Sequence, residues 1–212
     1  MENLKEYWNN RYAGGGTSGN GSYGVEAVTK ANIINHWIQE LQIKTINEIG
    51  VGDGNNLLFY KIPIMYTGYD ISEKAIQLCQ DKTRRIANSL KYNFTTLWSE
   101  MDFEADLCLC LDVWFHQVDD KDFESLCETL FGIGMWKYII IYSTDTDSQV
   151  TIDGSPMGKH MRPRQVLAEV QKWTDWEVKA VIGGIKTSDD KVFEFPDGKK
   201  FFLLERNFTK LA

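Results

Sequence analysis

The sequence predicts an α/β fold: a mostly parallel seven-stranded sheet ending in a C-terminal antiparallel hairpin, with helices on both faces. Three observations carry this. Strand candidates alternate with helix candidates from residue 26 to about residue 173, the pattern of βαβ units. The first strand candidate, around Ile46 and Ile49, runs directly into glycines at positions 50, 52 and 54. The last two, 176–182 and 200–205, have only the loop 183–199 between them, so they can pair antiparallel.

Residues 1–25 stand apart from the domain expected over 26–212. Tyr7, Trp8, Arg11 and Tyr12 precede a run with six glycines between Gly14 and Gly24, where glycine supplies φ freedom. A disordered tail is one reading. The other is a lid that orders over a pocket, with Trp8 and Tyr12, four apart, anchoring a short helix turn. From Glu26 to Leu41, Ala27, Ala31, Ile34, Ile38 and Leu41 recur at helical spacing. A short helical segment, 57–60, follows the glycine turn and is stopped by Pro63.

The second strand candidate, 65–69, ends at Asp70. Ser72 reads as an N-cap and Glu73 as a first-turn acid of a helix running to about Asn88. Strand candidates 92–97, 105–112 and 137–142 follow, with a helix marked by Phe123, Leu126, Cys127 and Leu130 between the last two. The apolar run at 105–112 suits a central strand covered on both faces. Polar residues 143–161 read as a loop, and Pro163 opens a helix carrying Val166, Leu167, Val170 and Trp173.

Bulk composition narrows the function. A chain of 212 residues with 43% hydrophobic content supports one sizeable core. No stretch approaches the roughly 18–20 apolar residues of a membrane span. The first residues lack the basic-then-apolar form of a signal peptide, so a cytoplasmic protein is expected. Net charge is −7 and pI about 5.0, which disfavours bulk nucleic-acid binding. Two local basic clusters exist: Lys82, Arg84 and Arg85, and Lys159, His160, Arg162 and Arg164. The first reads as a solvated helix face. Four cysteines fall on apolar faces without metal-ligand spacing, so buried thiols are expected, with no metal and no disulfide.

The turn Glu48-Ile49-Gly50-Val51-Gly52-Asp53-Gly54, with Asp70 sixteen residues on, is the sharpest element. Strand, glycine turn, helix, strand, acid is the layout of a nucleotide-type pocket at the carboxyl edge of a parallel sheet. Pyrophosphate wants a helix N-terminus without nearby carboxylates, and here Glu48 and Asp53 would repel it. The third glycine also falls one place too early for a dinucleotide fingerprint. Five alternating units, a closing hairpin and acid-x-Gly-x-Gly-x-Gly together resemble the class I, Rossmann-like S-adenosylmethionine-dependent methyltransferases, over nearly the whole chain. The aromatic start, the glycine run, Leu111-Asp112-Val113-Trp114-Phe115-His116 and Tyr142-Ser143-Thr144-Asp145 further resemble a bacterial and phage subgroup of unsettled substrate.

That resemblance implies S-adenosyl-L-methionine as cofactor. The backbone of Gly50, Val51, Gly52 and Gly54, with Glu48 before it, would wrap it. Asp70 would hold the ribose hydroxyls, Ile71 would touch adenine, and Trp98 could stack on that ring. Leu111 and Asp112 would border the methionine end, and Tyr7 and Arg11 would close over it. Asp112-Val113-Trp114-Phe115 stands where DNA amino-methyltransferases carry Asn/Asp-Pro-Pro-aromatic, with both prolines replaced, which argues against DNA amine methylation. His116 is placed to deprotonate an acceptor, and Asp145 is a second candidate base. Trp114, His160 and Arg162 are candidate acceptor contacts. The expected activity is methyl transfer to an O or N atom of a small molecule, saccharide or nucleotide-type acceptor. The alternatives are a non-catalytic S-adenosylmethionine-binding sensor or partner subunit, and an NAD-dependent oxidoreductase.

Overall fold

The computed structural model describes residues 3–61, 65–84, 92–96, 103–150, 154–186 and 192–211. Seven strands form one sheet: β1 (Thr45–Ile49), β2 (Met65–Tyr69), β3 (Tyr92–Thr95), β4 (Glu104–Leu111), β5 (Met135–Ser143), β6 (Trp176–Ile182) and β9 (Lys200–Arg206). Their order is β3-β2-β1-β4-β5-β9-β6. β1 pairs parallel with β2, and β2 with β3, while β9 runs antiparallel to β5 and β6. β7 (Gly184–Lys186) and β8 (Val192–Glu194) form a separate two-stranded ribbon. That ribbon lies within the stretch expected to be plain loop. Three-residue strands are too short to leave a periodic signal.

The chain divides into two compact units, residues 1–107 and 108–212. In the first, helix α1 (Leu4–Ala13) is capped by Asn3, whose side chain accepts the Glu6 amide. The N-terminal segment is therefore helical rather than a bare tail. Helix α2 (Gly24–Glu40) buries Ala27, Ala31, Ile34 and Ile38 of the face read from the sequence, with Trp37 beside them, while Leu41 is its half-buried C-cap. The segment after the glycine turn is one 3-10 turn, Asn56–Leu58, and Pro63 lies outside the described residues. Helix α3 (Glu73–Thr83) has Ser72 as its N-cap, accepting the Ala75 amide; the expected extension to Asn88 falls outside the described residues.

The second unit contains helix α4 (Asp120–Cys127), continued by a π-helical turn, Glu128–Ile133. Helix α5 is only Val166–Val170. It does not open at Pro163: residues 161–165 have no regular secondary structure, and the Arg162 amide donates to the Phe115 carbonyl at 2.6 Å instead of to a helical partner. Trp173 accordingly lies beyond the helix and packs on Phe131. Arg206 is buried at the end of β9, paired with Asp175 at 2.7 Å and donating to the Gly134 and Phe131 carbonyls. All four cysteines are buried free thiols. Among the described residues no helix is long and apolar enough to cross a membrane.

Candidate functional site

In the first unit the site grows from the three glycines after β1. Gly50, Gly52 and Gly54 all have positive φ, at 76°, 59° and 72°, a region open to glycine at little cost. Space demands glycine as well. A Cβ on Gly54 would lie 2.8 Å from the Cys79 sulfur and 3.2 Å from the Cys79 Cα of α3. A Cβ on Gly52 would collide with the Ser18 hydroxyl and stand 3.2 Å from the Tyr12 hydroxyl.

Three carboxylates surround this turn, each with a different job. Asp70, buried at the end of β2, accepts the Gly52 amide on one oxygen and the Ser72 amide on the other, both at 2.9 Å. Burial pushes its carboxyl up to about 6, against the lowering effect of those two amides. Glu48, 2% exposed, lies behind the turn and accepts the Tyr66 hydroxyl at 2.6 Å. Burial raises it to about 7, partly offset by Tyr66 and by the buried ammonium of Lys30. Asp53 accepts the Tyr23 hydroxyl at 2.6 Å, the Asn55 amide at 3.1 Å and the Ser18 amide at 3.2 Å, with Lys82 at 3.5 Å. Burial acts to raise it, but these partners together hold it below the usual carboxylate range.

Asp53 thus fastens the N-terminal segment to the turn. Its own amide returns a bond to the Ser18 hydroxyl at 2.8 Å, and Ser18 meets the Tyr12 hydroxyl at 3.0 Å. Tyr12 is 4% exposed, so α1 is seated on the turn by this residue. Asn9 adds bonds to Ser72 and Glu73, and Lys5 pairs with Glu73. Of the other residues of α1, Tyr7 packs edge-on against Trp8, and Arg11 Nε donates to the Thr17 carbonyl at 2.6 Å. Lys82, read as solvated, reaches Asp53 and the Tyr23 ring. Val51 is buried and Ile71 half-buried beside this turn. Trp98 lies outside the described residues.

In the second unit, β4 ends at Leu111, and Asp112 follows with φ 59°, a left-handed conformation uncommon for a non-glycine residue. Its amide donates to the Tyr142 carbonyl at 2.9 Å. Its carboxylate lies 2.9 Å from the ammonium of Lys199, a buried lysine whose Nζ stands 5.5 Å from both the Phe115 and Tyr142 rings. His116, in the 3-10 turn Trp114–His116, has Nδ1 3.0 Å from the His160 carbonyl. A carbonyl only accepts, so Nδ1 carries the hydrogen and Nε2 is the basic nitrogen. The His160 ring stacks on it at 5.4 Å. Burial pushes His116 down to about 4, so it is neutral at neutral pH.

Two acceptor-side expectations change. Trp114 is fully buried, donates to the Arg164 carbonyl at 3.2 Å, and packs edge-on against Phe123 at 4.8 Å. It is a core residue and not an acceptor contact, because the 3-10 turn rotates it inward. Arg162 is spent on the Val118 carbonyl and on Asp120, which it shares with Arg164. Asp145 accepts the Leu167 amide at 3.2 Å, at the N-terminus of α5. Sequence reasoning missed Lys199 and read Tyr12 only as an anchor of its own helix turn. The only available signal for Lys199 was a lysine just ahead of an apolar strand.

No protein-family model and no curated protein matches the chain. Solved structures do. The magnesium protoporphyrin IX methyltransferase ChlM from Synechocystis PCC 6803 with bound SAH is 16% identical with a TM-score of 0.64, covering 96% of this chain and 97% of that one. The methyltransferase domain of bacterial CtHen1 is 15% identical, TM-score 0.62, covering 83% and 97%. The N-methyltransferase NodS from Bradyrhizobium japonicum WM9 is 12% identical, TM-score 0.58, covering 85% and 94%. The fold is that of the class I S-adenosylmethionine-dependent methyltransferases.

Proposed function

We propose that the chain is an S-adenosylmethionine-dependent methyltransferase that moves a methyl group to an oxygen or nitrogen atom of a small-molecule, saccharide or nucleotide-type acceptor. One observation carries the cofactor half: the Gly52 amide of the three-glycine turn is bonded to the buried Asp70 carboxylate. A pyrophosphate would need that amide for itself and would meet Asp53 beside it, whereas a ligand bearing a sulfonium and an ammonium is attracted by both acids. The residues of the first unit therefore fit S-adenosylmethionine. The backbone of 50–54 would hold its methionyl and adenosyl parts, Asp70 its ribose hydroxyls and Ile71 its adenine. When bound, the cofactor supplies a methyl group on positively charged sulfur, open to in-line displacement.

The chain's own contribution is to position the acceptor and exclude water. That part of the proposal rests on the second unit. His116, neutral and with Nε2 as its basic nitrogen, is the candidate that takes an acceptor proton. Asp145 is not carried forward as a base, since its carboxylate serves the α5 amide. The neighbours with O- and N-methyltransferase names, mitomycin 7-O-methyltransferase MmcR and NodS, support either acceptor atom.

Isothermal titration with S-adenosylhomocysteine tests the cofactor half. Saturable binding is expected, with none for NAD; no binding on the order of hundreds of micromolar would end the proposal. Asp70→Ala is expected to weaken that binding at least about tenfold, roughly 1.4 kcal/mol. We also infer that the N-terminal segment is a lid over the cofactor. Deleting residues 1–24 removes Tyr12, Ser18 and Tyr23 from the turn and should lower affinity for S-adenosylhomocysteine; unchanged affinity would refute the lid.

A further inference from the structure

We propose that the second unit holds an acceptor subsite made by Thr144 and the Lys199–Asp112 ion pair, walled by Phe115 and Tyr142, and that it takes an anionic oxygen on a ring-bearing molecule: a phenolate, an enolate or a carboxylate. The inference rests on the methyltransferase reading and names its acceptor class.

Thr144 is the first pointer. It is 2% exposed, and its hydroxyl has no hydrogen-bond partner within the protein. A buried hydroxyl without a partner costs stability and returns nothing until something binds it. Its place in the sheet shows what it stands beside. The last β5–β9 pair is Ser143 opposite Lys200, and Tyr142 is opposite Phe201. Carrying that register one residue further sets Thr144 opposite Lys199. Directly opposed residues share a face, and alternate residues return to it. Thr144, Lys199, Tyr142 and Phe201 therefore lie on one face.

Lys199 is the second pointer. It is only 8% exposed, and it comes from the short turn Pro196–Gly198 that precedes β9. Turns of this kind carry lysine on the outside at no cost. Burying the ammonium instead demands compensation, here supplied by Asp112 at 2.9 Å and two aromatic rings at 5.5 Å. An ammonium has three donors, so bridging Asp112 and a second anionic oxygen suits its chemistry. Phe115 and Tyr142, both buried, close the apolar side of the cluster around the ammonium.

The choice of anion over amine follows from the charged groups around the cluster. Lys199 would repel an ammonium. Asp112 is already paired, Asp145 is bonded to Leu167, and Arg162 and Arg164 are held by Asp120. An amine acceptor must also lose a proton, and with Asp112 and Asp145 engaged that demand falls on His116. An acidic oxygen needs no such base, because the neighbouring cation favours its ionised form. The step then balances without a proton: an oxygen lone pair forms the new O–CH3 bond as the S–CH3 bond breaks. Sulfur leaves as a neutral thioether.

Ligand-observed NMR in saturating S-adenosylhomocysteine tests this with benzoate and 4-nitrophenolate against benzylamine. The two anions are expected to bind and benzylamine to fail. Lys199→Met should weaken the anions by about tenfold or more, and Lys199→Arg should retain most of the binding. Thr144→Val, nearly isosteric, should raise the melting temperature while weakening the anions severalfold, a pairing that a merely structural threonine would not show. Benzylamine binding as well as the anions, no anion binding, or anions indifferent to Lys199→Met would each overturn the proposal. S-adenosylhomocysteine affinity, measured in the same samples, separates the two levels: its absence overturns the methyltransferase reading itself.

Discussion

Raising the pH from 5 to 8 is expected to destabilise the protein by about 2 kcal/mol, the net of two carboxyls and one histidine. Glu48 rises from 4.5 to about 7 on folding and Asp70 from 3.8 to about 6, both mainly through burial. A group whose folded pKa is raised binds its proton more tightly when folded. Its contribution is fully present below the unfolded value and is lost as pH climbs through the folded value. Between pH 5 and 8 this amounts to about 2.5 kcal/mol for Glu48 and about 1.4 kcal/mol for Asp70. His116 works the other way. Its pKa falls from 6.5 to about 4, so its contribution is present above 6.5 and lost on acidification, giving back about 2 kcal/mol over the same interval. Urea midpoints at pH 5 and 8 read the net. Glu48→Gln keeps an acceptor for Tyr66 and removes the titration, so the loss between pH 5 and 8 should vanish or reverse sign. A variant with the same slope as the parent would show that Glu48 ionises normally.

Asp53→Ala is expected to cost about 3 kcal/mol, the range for removing one partner of a buried charged network. It leaves the Ser18 and Asn55 amides and the Tyr23 hydroxyl without their acceptor, and Lys82 without its partner. Because Asp53 is held below the usual carboxylate range, its contribution is present above 3.8 and lost only as pH falls through a still lower value. The penalty should therefore persist across pH 5–8. The readout that separates a local from a global effect is trypsin cleavage after Arg11. Loosening of α1 from the glycine turn should accelerate it well before the rest of the chain unfolds. Asp53→Asn, which still accepts one or two of these bonds, should fall between. Unaltered cleavage at Arg11 in Asp53→Ala would show that the contacts of Tyr12, Asn9 and Lys5 hold the segment without Asp53.

Much of this was legible in the sequence for reasons that can be named. Gly50, Gly52 and Gly54 were readable because only glycine tolerates three positive φ values in seven residues. Ser72 was readable because an N-cap is a local device, and the α2 face because apolar periodicity directly reports a buried stripe. Trp114 was misjudged because a tryptophan beside a site looks the same in sequence whether it faces a ligand or the core; the 3-10 turn after β4 decides. Tyr12 was read only as an anchor for its own helix, since its bond to Ser18 and contact with Gly52 depend on where α1 lands.

The sequence by itself determined the α/β class, the order of its strands along the chain, the glycine turn and the identity of the acid after β2. These depend on residues within a few positions of one another, where period and φ preference act. The tertiary structure alone decided which charges answer which. It set Asp53 on the N-terminal segment, Asp70 on the Gly52 amide, and Lys199 on Asp112 across 87 positions of sequence (199 minus 112). Such pairs arise only when the sheet has brought distant segments into register and burial has made each unpaired charge costly.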